Sequence, residues 1–214
     1  MKKHYYLAVV IANTFLALGV QEVFGDQLPL STFINEVANK YGVVFTVESA
    51  YLDESYSQSQ LGELISFQQL PTNIDSAILA LTNSLTNLTV TIDSANSKMY
   101  HIIDRRLIEM DGYAMGEVLK SIKFDGNGQD FVNYLGKAVT NLINGQHSTG
   151  AIIMLNYGTD VSIDAKEVSV RQALSKGVDL NDYKRYQGVV WNSSTSLKTR
   201  QTSVVFLGLS HQPK

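Results

Sequence analysis

Beyond the amino-terminal apolar run, three histidines are the first residues to weigh for metal or acid–base chemistry: His101, His147 and His211. They stand 46 and 64 residues apart, with no His-x-His or His-x-x-x-His pair to guarantee that donors converge at the roughly 2 Å a metal needs. The chain has no cysteine, which removes disulfides, thiolate nucleophiles, iron–sulfur clusters and cysteine-based zinc sites together. Asp104 with Glu109, and Asp160 with Asp164, are candidate carboxylate pairs for glycosidic cleavage. Each pair lies beside an expected turn, where solvated acids are the ordinary case. No Gly-x-Ser-x-Gly elbow occurs, and Gly126-x-Gly128 lacks the lysine and the third glycine of the phosphate-binding loops. These residues assign no catalytic, cofactor-binding or metal-ligating group, so the expectation is a non-enzymatic protein, with an exported hydrolase or carbohydrate-processing protein as the alternative. The Tyr-rich loop Tyr51–Tyr56 offers a third possibility, a site for small ligands or glycans.

Contact chemistry is better represented than catalysis. The basic doublets Arg105–Arg106 and Lys184–Arg185 read as a solvated linker and a strand start. Tyr186 and Trp191 fall on an expected hairpin, where an exposed aromatic can anchor a partner protein. Seventeen Lys and Arg against twenty Asp and Glu give a net charge of −3, without the positive field of a nucleic-acid binder. With 44% hydrophobic and 17% charged residues, the 214-residue chain can bury a core and should fold as one ordinary domain or two small ones.

The amino terminus reads as an address. A basic start, Met1–His4, precedes apolar stretches Tyr5–Ala12 and Phe15–Val20, interrupted by Asn13 and Thr14, in the layout of a secretory signal. Val23 and Gly25 suit the positions a signal peptidase reads; cleavage after Gly25 leaves 214 − 25 = 189 residues. The apolar run is shorter than the roughly 20 residues that span a bilayer, so no membrane span is expected after cleavage. An exported chain without cysteine fits a bacterial periplasm better than an oxidising eukaryotic exterior.

The elements that would position these residues follow from periodicity. Leu30, Phe33, Ile34, Val37, Ala38 and Tyr41 share one helical face, and Gly42 stops the helix. Val43–Val47 is the strand that follows, and a polar loop runs from Glu48 to Gln60 before a short strand at Leu64–Phe67. A second helix carries Ile74, Ala77, Ile78, Leu81 and Leu85 on its buried face, with Thr72 as cap. Leu88–Ile92 and Met99–Ile103 form a hairpin across Asp93–Lys98.

The same order returns. Ser121–Phe124 is a strand, Asp125–Gly128 a turn that starts a helix with Phe131, Tyr134, Leu135, Ala138, Val139 and Leu142, and Ala151–Leu155 a buried strand. Val161–Ile163 is short, Ser169 caps a helix over Val170–Leu174, and Arg185–Trp191 with Thr202–Leu207 close the unit around a Ser193–Arg200 loop. The fold class expected is α+β, as two tandem small modules, each with two helices packed on a small mixed sheet. Their boundaries are 1–25 for the signal peptide, 26–104 for the first module, 105–117 for a linker and 118–210 for the second module.

Three runs carry a family resemblance: Leu30-x-x-Phe-Ile-x-x-Val-Ala-x-x-Tyr-Gly-Val-Val-Phe, Leu70-Pro-x-x-Ile-Asp-x-Ala-Ile-x-Ala-Leu, and Val161-Ser-Ile-x-x-x-x-Val-Ser-Val-Arg-Gln-Ala-Leu. This pattern resembles the secretin and TonB N-terminal short domain, here in two copies covering most of the mature chain. The resemblance implies a periplasmic interaction module that binds an envelope or outer-membrane protein. Two departures accompany it: the first copy has almost no opening strand before Leu30, and Leu85–Leu88 lacks the glycine-containing turn the family usually places before the closing hairpin.

Overall fold

The computed structural model describes residues 27–52, 64–66, 71–143, 160–176 and 188–206. Outside them lie the signal region, most of the Tyr51–Tyr56 loop, the expected strand Ala151–Leu155, both Lys184–Arg185 and Tyr186, and His147 and His211.

The first helix, α1 (Leu30–Tyr41), forms where periodicity placed it. Leu30, Phe33, Ile34, Val37 and Ala38 are buried, and Gly42 ends it in the left-handed region at φ 65°, its N–H donating to the Ala38 carbonyl at 2.9 Å. Three residues before α1 do form a strand, β1 (Gln27–Pro29), pairing antiparallel with β3 (Leu64–Ser66). β2 runs from Val44 to Tyr51, so the expected polar loop begins several residues later than Glu48. The second helix, α2 (Ile74–Ser84), is capped by Asn73 in place of Thr72. It starts one residue later than the pattern suggested, which puts the Asn73 side chain where it accepts from the Ser76 N–H at 2.8 Å. Lys40 Nζ and Tyr41 Oη of α1 both donate to the Pro71 carbonyl, tying α1 to the stretch that leads into α2. The hairpin β4 (Leu88–Ile92) and β5 (Met99–Asp104) closes this half.

In the second half, β6 (Val118–Asn127) and β7 (Asp160–Ser169) are longer than the short runs expected and form an antiparallel ribbon. Between them α4 (Gly128–Ile143) begins where Asn127 Oδ1 accepts from the Asp130 N–H at 2.9 Å. α5 (Val170–Lys176) opens on a reciprocal cap: Ser169 Oγ accepts from the Gln172 N–H, and Gln172 Oε1 accepts from the Ser169 N–H. β8 (Val189–Ser196) continues past Trp191 through residues expected to be loop, and β9 (Thr202–Phe206) returns beside it.

In each half, the strand before the first helix pairs antiparallel with the strand before the second, and a hairpin follows the second helix. The halves also share one sheet. Its order is β4-β5-β2-β8-β9, with β2 parallel to both β5 and β8. Side chains alternate across a strand, so this sheet has two working faces. Phe45, Val47, Tyr100 and Ile102 pack under α1 and α2 in one core. Val44, Met99, Ile103 and Trp191 face the other way, into a core with Phe131, Leu135 and Val139 of α4 and with Ala173 and Leu174 of α5. Parallel strands covered on both faces are the usual arrangement. Fold class is thus α+β with a mixed sheet. Among the described residues no helix is long and apolar enough to cross a membrane.

The stretch 105–117 ties the two halves together, while Arg105 and Arg106 at its start are exposed. It opens with the single turn α3 (Arg105–Ile108), buries Leu107, Tyr113, Ala114 and Met115, and accepts the Val170 and Arg171 N–H groups on the carbonyls of Glu117 and Met115. Arg105 Nε donates to the Leu88 carbonyl, while Arg106 bonds Asp104 and the Ala50 carbonyl.

Candidate functional site

Where the second half covers the sheet, the facing surface is unusually polar. Glu48 projects from β2 and is fully buried. Arg171, the second residue of α5, places Nε 2.5 Å from Oε1 and Nη2 2.7 Å from Oε2 of that carboxylate. Tyr113 Oη donates to Oε2 at 2.6 Å. One carboxylate therefore gathers β2, the 105–117 tie and α5. Removing charges from water is costly, and it is offset here by a bidentate fork and a third donor. Burial raises the Tyr113 phenol well above its ordinary value, and the adjoining Glu48 charge adds to the rise. Burial alone would lower the Arg171 guanidinium, but the Glu48 hydrogen bonds and charge outweigh it and keep it cationic.

Two residues back along β2, on the same face, a second polar chain crosses the sheet. Thr46 Oγ1 lies 2.8 Å from His101 Nδ1, and His101 Nε2 lies 3.1 Å from Asp93 Oδ2. A carboxylate only accepts, so Nε2 donates to it. Asp93 Oδ1 accepts the Ala95 and Asn96 N–H groups, which folds the β4–β5 turn. Burial would raise the Asp93 carboxyl, but the His101 hydrogen bond and these backbone donors carry it below its ordinary value.

Hydroxyl, imidazole and carboxylate in line have the order of a nucleophile relay. A nucleophile must also meet its substrate at about 3 Å. Thr46 is fully shielded, His101 is 2% exposed, and the Trp191 ring stands 6.3 Å from the imidazole, centroid to centroid. This series is a buried tie that joins β2, β5 and the β4–β5 turn.

The other candidates are placed as follows. Asp104 is buried against Arg106, whereas Glu109 is exposed, so they share no cleft. Asp160 and Asp164 sit four residues apart on one strand, about 13 Å along it and beyond the span of a carboxylate pair. Asp164 pairs with Lys123 on the exposed ribbon. Among the described residues no three His, Asp or Glu side chains gather as metal ligands. Trp191 is not an exposed anchor: it is 0% exposed and packs in the core, because the second half closes over its face of the sheet. Its register partners, Thr46 and Phe206, flank it on both sides.

Sequence reasoning passed over Glu48, Tyr113, Arg171, Thr46 and Asp93. The available signal was weak: an acid closing a β-branched run, and an arginine inside the apolar run Val168–Leu174.

Among the described residues the sheet ends on β4, Leu88–Thr89–Val90–Thr91–Ile92, which has no charge, proline or bulge, and whose Ile92 is 57% exposed. Among the described residues β9 is the opposite edge, also uncharged. Proteins commonly blunt such edges with charges, prolines or bulges.

No family model matches this chain, and neither a curated protein nor a solved structure matches it.

Proposed function

We propose that this chain is an exported, non-enzymatic protein-interaction module of the bacterial cell envelope. It is built from two tandem copies of a unit resembling the secretin and TonB N-terminal short domain, and it acts in the periplasm or outside the cell. The repeated element plan and the matching antiparallel pairs β1–β3 and β6–β7 support the duplication. The basic start and apolar run of residues 1–20 support export.

The observation that carries the docking reading is the uncharged, unbulged edge of β4. An extended partner segment gains backbone hydrogen bonds by adding to such an edge, and alternate side chains set the specificity. The polar seam gives this edge a rigid base, since Asp93 and His101 fix the β4–β5 turn against β2.

Two measurements test the proposal. Fractionation of cells making the chain should find it in the periplasm or medium, shortened by about 25 residues. A photo-crosslinking residue at exposed Thr91 should capture a discrete protein species, while the same residue on the outer side of α2 at Leu79 should not. Cytoplasmic retention of the full-length chain, or equal capture from both positions, contradicts the reading.

A further inference from the structure

We draw no further inference here: the strongest candidate, the uncharged edge of β4 (Leu88–Ile92) on which the shared sheet ends among the described residues, carries nothing beyond the docking reading above, because nothing in the structure shows what covers it.

Discussion

Arg171 and Glu48 are 123 residues apart in the chain and meet through two hydrogen bonds, 2.5 and 2.7 Å long, beneath the second half. Glu48 is inaccessible to water and the Arg171 side chain is 19% exposed, so either one left alone is a buried, uncompensated charge.

Arg171→Met and Glu48→Leu should therefore each destabilise the protein by about 3–5 kcal/mol. The double variant should recover most of that loss, because two apolar side chains replace two charges together. Urea unfolding of the four proteins of the cycle measures the coupling directly. Additive losses would show that the pair does not hold the halves together.

Gly188 is another point where the halves touch. Its φ is 86°, and a Cβ there would stand 3.0 Å from Ala38 Cβ, Asn35 Cα and the Ile34 carbonyl of α1. Its own carbonyl accepts the Phe45 N–H at 2.7 Å. Gly188→Ala combines a left-handed backbone with a clash against helix backbone, and should cost about 2 kcal/mol or more. Thermal unfolding checks it; an unchanged midpoint would mean that the turn can leave α1 without penalty.

Asp93 sets an acid limit. Its folded carboxyl lies below the ordinary value near 3.8. A depressed folded value contributes stability above the unfolded value, and that contribution is lost as pH falls through the folded one. Below about pH 4 the wild type should therefore lose stability faster than Asp93→Asn. Unfolding free energies taken between about pH 2.5 and 6 decide it, and parallel curves would remove Asp93 from the account.

Tyr113 acts at the other extreme. Its folded phenol is raised well above 10, so its contribution is complete below the unfolded value and is lost as pH climbs toward the folded one. Tyr113→Phe should flatten the decline in stability above about pH 10. It should also cost stability at neutral pH, since Glu48 loses its third donor.

Local features were legible in the sequence, and long-range ones were not. The α1 face from Leu30 to Ala38, the Gly42 stop and the Ser169 cap depend on residues within a few positions, and each stands where its spacing placed it. Asn73 displaced Thr72 as cap because neighbouring polar residues compete for one role. Glu48 reads as the start of a polar loop, since its partners Tyr113 and Arg171 lie 65 and 123 residues away. Trp191 was placed on a strand, yet its burial depends on which face the second half covers. That follows only once β8 is known to lie beside β2. The tie at 105–117 was hidden for the same reason: Tyr113 and Met115 are buried by the α5 side of the second half.

The shared sheet is the claim on which the β4 edge and the buried polar seam both depend, and a disulfide tests it most directly. The chain has no cysteine, so an introduced pair reports without interference. Ser49 and Ser194 are register partners across the parallel β2–β8 junction, within the Cα separation a disulfide accepts. Ser203, one strand further, stands about 10 Å from Ser49 and cannot bridge it. Under mild oxidation Ser49→Cys/Ser194→Cys should close an intramolecular bond in nearly every molecule, and Ser49→Cys/Ser203→Cys should leave its thiols free. An open first pair, or a control pair that closes as readily, would contradict the single sheet.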